Sequence, residues 1–294
     1  MEEQRLEAII EAVITELGAE LARRGGAGQG PGIAIDLPDP MRPEARAVPG
    51  VKNPQDPEGL IALRETTTAR IGVGRAGPRP RTRDLLAFQA DLAITKDALE
   101  KKVPAALLEE FGLFTVSTRV TGGRSEYLLR PDLGRRLSEG AMATIQERCA
   151  KRPDVQVCVA DGLSARAIEA NLARIFPVIK AGCASLGYSF GTPFFIEGCR
   201  VGVMNDLGDL IDPKVLILLI GERPGLGRAE SMSAYMAYRP RSGHSDADRN
   251  VICNIFDGGG VNPLEAGAYA LSLAQDMMGK SASGVKLKLM EGEG

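Results

Sequence analysis

Val215-Leu-Ile-Leu-Leu-Ile220 runs directly into Gly221-Glu-Arg-Pro-Gly-Leu-Gly227, and this junction decides the fold class. Six unbroken apolar residues fall far short of the roughly 20 that a membrane span needs. They have the length and composition of a strand buried on both faces, as in a parallel sheet covered by helices. The glycine-rich turn then sits at the carboxyl end of that strand, where open α/β sheets bind ligands.

The flanking sequence agrees with this reading. Upstream, Val155-Gln-Val-Cys-Val-Ala160 alternates as a strand, and Asp161-Gly-Leu-Ser164 supplies a turn and a helix cap. Ile168, Leu172, Ile175 and Ile179 then recur at helical spacing, and Thr192 to Ile196 forms a further strand. Downstream, helical residues are expected from about 229 to 238 and a fourth strand at Val251 to Phe256. The last helix opens on Asn262 as N-cap, Pro263 at N1 and Glu265 at N3. Strand and helix alternate at βαβ spacing, which predicts a Rossmann-like, mostly parallel α/β domain over 153–290.

Residues 60–152 read as a small α-rich domain. Leu85, Phe88 and Leu92 share a face with Asp84 placed to cap, and Leu133, Leu137, Ala141, Ile145 and Cys149 repeat every four residues. Between them, Phe114 to Val120 and Glu126 to Leu129 around Thr121-Gly122-Gly123 resemble a hairpin. Residues 25–59 hold 7 Gly and 7 Pro in 35 positions and read as a linker or strap. Residues 1–24 read as an amphipathic helix, with Leu6, Ile9, Ile10, Val13, Ile14 and Leu17 on one stripe and Glu2, Glu3, Glu7, Glu11 and Glu16 dominating the rest. A lipid-surface helix or transit peptide would carry Lys and Arg there. No apolar leader segment stands at the start, so a docking or targeting role is expected rather than a membrane one.

Composition narrows the chemistry. The 294 residues carry 36 basic and 38 acidic side chains, a formal charge of −2, which is no footprint for nucleic acid. There is no Trp and one His, the residue most often used as a general base or metal ligand. The five cysteines at 149, 158, 183, 199 and 253 show no C-x-x-C or zinc spacing and read as reduced core thiols of a cytoplasmic protein. His244, in Arg-Ser-Gly-His-Ser-Asp, reads as a solvated residue rather than a catalyst.

Three segments remain as candidate sites. Arg75, Arg79, Arg81 and Arg83 in Gly74-Arg-Ala-Gly-Pro-Arg-Pro-Arg-Thr-Arg83 suit phosphate or carboxylate, but without stacking aromatics a subunit-interface or structural role is favoured. Asp161-Gly-Leu-Ser164 is a strand–turn–helix junction that suits a polar ligand or is purely structural. Gly221 to Gly227 is neither a G-x-G-x-x-G fingerprint nor a P-loop, so its Glu222 and Arg223 suggest a large polar ligand gripped by hydrogen bonds.

In this order, Thr68-Ala-Arg, Gly74-Arg-Ala-Gly-Pro-Arg-Pro-Arg-Thr, Lys96-Asp, Arg130-Pro-Asp-Leu-Gly-Arg-Arg-Leu, Pro153-Asp-Val-Gln-Val, Asp161-Gly-Leu-Ser, Gly191-Thr-Pro-Phe-Phe, Gly221-Glu-Arg-Pro-Gly-Leu-Gly and Asp248-Arg-Asn closely resemble the small (light) subunit of ethanolamine ammonia-lyase over about residues 55–290. The resemblance implies an adenosylcobalamin-dependent radical enzyme that converts ethanolamine to acetaldehyde and ammonia. It also implies a larger barrel subunit that holds substrate, with the cofactor lying between the subunits. The family's cofactor contacts carry over to Val201, Glu222 and Val251, with no catalytic or metal-ligating side chain implied in this chain. The missing D-x-H-x-x-G fits a family that keeps the cofactor's own benzimidazole on cobalt. In an ordinary parallel strand Val251 would lie at the amino end, away from Val201 and Glu222. The resemblance further implies packaging in a bacterial microcompartment through an N-terminal segment, a role that suits residues 1–24. The alternatives are a non-catalytic interaction or scaffold protein with a ligand-free α/β domain, and a nucleotide-binding transferase, which the absent phosphate-binding fingerprints disfavour.

Overall fold

The structure is a computed structural model that describes residues 47–67, 69–226 and 228–292. The helix expected over 1–24, and the Gly/Pro-rich stretch before residue 47, lie outside the described residues. In the described part, α1 (Pro57–Glu65) is followed by a short exposed hairpin, β1 (Arg75–Ala76) and β2 (Arg79–Pro80). Next come α2 (Thr82–Glu100), α3 (Ala105–Glu110), β3 (Phe114–Ser117), α4 (Gly123–Leu129) and α5 (Glu139–Arg148). The rest of the chain gives β4 (Val155–Ala160), α6 (Ala165–Ser185), β5 (Phe194–Glu197), α7 (Met204–Ile211), β6 (Val215–Gly221), β7 (Met232–Tyr238), β8 (Asn250–Ile255), α8 (Pro263–Lys280) and α9 (Gly284–Gly292).

The main sheet has the order β3-β5-β4-β6-β7-β8. The first four strands are mutually parallel, and β7 and β8 extend the sheet antiparallel. The protein is therefore mixed α/β with a mostly parallel six-stranded sheet. Every residue of β6 is buried, as its unbroken apolar run requires. Strand alternation sends Val215, Ile217 and Leu219 into a core with α6 and α8. Leu216, Leu218 and Ile220 enter a second core with α5 and α7 on the other face. Ile168, Leu172, Ile175 and Ile179 form the buried stripe of α6, whose N-cap Ser164 accepts from the Ala167 N–H. Asn262 caps α8 as its sequence announces, with Oδ1 accepting from the Leu264 N–H at 2.9 Å.

Three local expectations are corrected. Phe114–Ser117 is a strand, but its partner is β5, in parallel register from Phe114↔Phe194 to Ser117↔Glu197, and no hairpin forms. Gly123–Leu129 is helix α4, because Glu126 Oε2 reaches back to the Thr121 and Gly122 N–H groups at 2.7 Å each and fixes the helix start. Residues 232–238 are strand β7 rather than helix. The inner edge of β6 offers a full row of backbone groups, and β7 pairs with it from Val215↔Tyr238 to Gly221↔Met232. Asp84 lies inside the first turn of α2, whose N-cap is Arg81, so it complements the helix dipole without capping.

The segment before the sheet is held by few buried groups. α1 buries no residue, and the 19-residue α2 buries only Asp91 and Ala98. Leu85, Phe88 and Leu92 do share a face, but it is open, at 41%, 41% and 38% exposure.

Candidate functional site

Two turns that look separate in the sequence form one joint. Gly162, at φ +54°, and Gly221 stand so close that a Cβ on Gly221 would lie 2.1 Å from the Ser164 carbonyl oxygen and 2.5 Å from that of Asp161. The Leu163 N–H donates to the Gly221 carbonyl at 3.0 Å, and Ser164 Oγ donates to the Ala229 carbonyl. Asp161 gathers the neighbouring strand ends: its carboxylate accepts from the N–H groups of Gly162, Gly198 and Cys199. Burial pushes that carboxyl above the ordinary aspartate range, and the N–H donors pull against it. The Arg124 guanidinium completes the joint by donating to the carbonyls of Gly162 and Leu163. The Asp161-Gly-Leu-Ser turn is thus a structural junction, its N–H groups spent within the chain.

Glu222 follows directly on this joint and is anchored on the far side of β6. Its Oε2 accepts from Ser231 Oγ at 2.6 Å, and its Oε1 accepts from Ser233 Oγ and from the Asn254 N–H at 2.9 Å. The last bond depends on a bulge. Register runs from Ala234↔Ile252 to Met232↔Ile255, leaving an extra residue in β8, and Asn254 takes φ +57°. The bulge turns the Asn254 N–H out of the ladder and onto the Glu222 carboxylate.

Below Glu222 lies a face of β7 and β8 that no described helix covers. Ile252 and Ile255 enter the core beneath α8, so alternation places Val251 on the opposite side, across from Tyr235 and 44% exposed. Cys253 is exposed as well, and Tyr235 is half-buried. Burial raises the Tyr235 phenol above its ordinary range, so the ring stays neutral with a donor at its tip. Val201 sits in the 3-10 turn Val201–Val203 after β5 and packs on the same core cluster as Tyr235. Arg249, at the start of β8, donates to Asn205 Oδ1 in the first turn of α7 at 2.9 Å. Glu222 and Val251 therefore border one sheet face, whereas Val201 follows β5, which β4 and β6 separate from β7. Val251 does lie near the amino end of β8, about 10 Å along the strand from the Asn254 contact of Glu222. The two-strand antiparallel extension, unexpected from the sequence, brings Glu222 and Val251 to one face.

The remaining candidates resolve differently. Arg75 donates to the Pro78 carbonyl, Arg81 to the carbonyls of Arg75 and Gly50, and Arg83 to that of Val48. This part of the arginine segment fastens the strap at residues 48–50 to the start of α2. His244 is half-buried rather than solvated: its carbonyl accepts from Asn205 Nδ2, and its Nδ1 is buried without a hydrogen-bond partner. Four cysteines are buried, whereas Cys253 is not a core thiol. Ser231, Ser233, Tyr235 and Asn254 were not singled out from the sequence, although Ser231-x-Ser233-x-Tyr235 carries the period-2 signal of one strand face. Among the described residues no cluster of His, Cys, Asp and Glu could hold a metal ion. None of the described helices is long and apolar enough to cross a membrane.

The face offers a carboxylate acceptor, a neutral phenol and the exposed apolar side chain of Val251, which suits binding and orienting a large ligand. Residues 57–288 match the family model described as ethanolamine ammonia-lyase light chain (EutC).

Proposed function

The chain belongs to the ethanolamine ammonia-lyase light chain family, a lyase subunit with a large-subunit partner, and from that premise we propose that it holds adenosylcobalamin against that partner. The match over residues 57–288 carries this reading. The β7–β8 face suits such a group. A carboxylate has about four lone-pair sites. Three of those on Glu222 are filled by Ser231, Ser233 and Asn254, so Oε2 keeps one for an amide N–H of the corrin rim.

When bound, the cofactor supplies the carbon radical that abstracts hydrogen from the substrate. This chain's part is positional. Glu222, fixed by three donors, accepts from the rim at an angle it does not have to search for. Val201 and Val251 give apolar contact and keep water from the flanks of the macrocycle. Substrate binding and the rearrangement belong to the large barrel subunit. Residues 1–24 serve packaging of the assembly into a cytoplasmic microcompartment, through a shell or cargo contact.

Co-expression with a large subunit tests the reading. The purified complex is expected to show corrin absorbance and release ammonia from ethanolamine, and neither subunit does so alone. A stable complex that never takes up corrin would instead make the chain a scaffold component.

A further inference from the structure

The carboxyl end of the sheet holds a cavity that the proposed function does not use. Its place follows from the topology. β4 and β5 are neighbours. The chain leaves β4 into α6, which packs in the core on one face, and leaves β5 into α7, which packs in the core on the other. Adjacent parallel strands whose connections part to opposite faces open a crevice at their carboxyl ends, where open α/β sheets bind ligands. At that point lies a cavity of about 270 Å³. Asp161 after β4, Glu197 and Gly198 at the end of β5, and Ser117 at the end of β3 form one wall. The other is the chain from Leu99 to Val103, where α2 ends.

The walls are tied to each other. Arg124 Nε donates to the Leu99 carbonyl while the same guanidinium holds the carbonyls of Gly162 and Leu163. Lys101 pairs with Glu169 of α6 at 2.7 Å. The frame is therefore set before any ligand arrives.

The charges lining the cavity are Glu100, Asp161 and Glu197 against Lys101, Lys102 and Arg124. Asp161 is committed to backbone N–H groups, Arg124 to three carbonyls and Lys101 to Glu169. Glu100, Glu197 and Lys102 are exposed, and their side chains make no hydrogen bond or ion pair among the described residues. Both signs of charge are thus on offer, beside the half-buried Leu99, Val103 and Val120. A ligand of one sign answers only one of them. A molecule with an ammonium, a carboxylate and a short apolar side chain answers both charges and the apolar lining. The volume falls below the roughly 300–1,000 Å³ of pockets for drug-sized ligands, so it fits a metabolite of amino-acid size.

We infer that this cavity binds a small apolar α-amino acid, its ammonium on Glu197 and its carboxylate on Lys102. Glu197 is favoured over Glu100 because it stands at the end of a strand in the crevice itself. The inference stands apart from the light-chain reading, since it uses neither Glu222 nor the β7–β8 face.

Calorimetry with L-leucine on the full chain tests it, with isopentylamine and 4-methylpentanoate as probes that each lack one of the two charges. Leucine is expected to bind about tenfold more tightly than either probe, or better. Amides of residues 99–103 and 117–124 are expected to exchange more slowly when leucine is present. Glu197→Gln and Lys102→Gln change exposed side chains and are expected to leave the unfolding midpoint unaltered. Each is expected to weaken leucine by about tenfold, whereas Lys102→Arg retains it. No binding of leucine, or binding equal to that of a one-charge probe, overturns the inference. So does wild-type affinity in either Gln variant. Slowed exchange confined to other residues places leucine elsewhere and overturns it too.

Discussion

The Glu222 carboxylate accepts the backbone N–H of Asn254 at 2.9 Å, so a side chain at the end of β6 satisfies the donor that the bulge in β8 removes from the ladder. Glu222 therefore holds the end of β8, and under the proposed function it has a second duty, offering an acceptor to the cofactor. Glu222→Ala is expected to destabilise the chain by roughly 2 kcal/mol, because an N–H and two hydroxyls lose one common acceptor. Corrin retention by the complex is expected to fall with it. Ser233→Ala separates the duties: it costs about 1 kcal/mol and leaves the carboxylate in place. Denaturant midpoints and corrin absorbance read the two effects, and retention lost in Ser233→Ala would show that Glu222 acts only through the fold.

Val251 isolates the face from the fold. At 44% exposure, Val251→Asp is expected to change stability by no more than about 0.5 kcal/mol while lowering corrin retention. Full retention in this variant would remove Val251 from the site.

Thiol titration probes the same face without mutation. Of the five cysteines, only Cys253 is exposed, so one thiol is expected to react in the native chain. That thiol is expected to be shielded in the complex loaded with cofactor, since it neighbours Val251 on β8. Equal labelling rates in the loaded and bare complex would move the cofactor elsewhere.

The joint between the two turns gives a sharper stability prediction. Gly221→Ala places a Cβ against two carbonyl oxygens that belong to the backbone of the opposing turn. Backbone cannot rotate aside as a side chain can, so a loss of about 3 kcal/mol or more is expected, measured by urea unfolding. A variant of near wild-type stability would mean the joint opens at little cost.

Acid should loosen the opposite end of the sheet. Asp154 accepts from the Ser189 N–H and hydroxyl and pairs with Lys214 at 2.7 Å, which holds its carboxyl down at about 2, against an ordinary 3.8. A depressed carboxyl contributes stability above its unfolded value and loses it as the pH falls through the folded one. The contribution is therefore complete above about pH 4 and fades toward about pH 2. Asp154→Asn is expected to flatten the dependence of the unfolding midpoint on pH across that window, and an unchanged slope would show that the pair contributes nothing.

The parts of the fold legible in the sequence are those whose causes are local. The apolar run of β6, the stripe of α6 and the Asn262–Pro263 start of α8 each announce themselves within a few residues. β7 does not, because the two Met and two Ala of Met232-Ser-Ala-Tyr-Met-Ala-Tyr238 favour helix while its two Tyr favour strand, and β6 alongside settles the strand state. β3 pairs with β5, about 80 positions further along the chain, so a reading confined to neighbours supplies a hairpin instead. The site divides in the same way. Glu222 stands out beside its glycines, whereas Ser231, Ser233 and Asn254 become its partners only after β7 and β8 turn back across the sheet.

The arginine fastening has a mechanical consequence. Arg81 and Arg83 grip the carbonyls of Gly50 and Val48, beside the close approach of Gly50 to Gly74. A pull applied through residue 47 therefore loads the start of α2 directly and bypasses α1, which buries no residue. The bonds at this anchor share the load in parallel, so α2 takes up the tension before the sheet does.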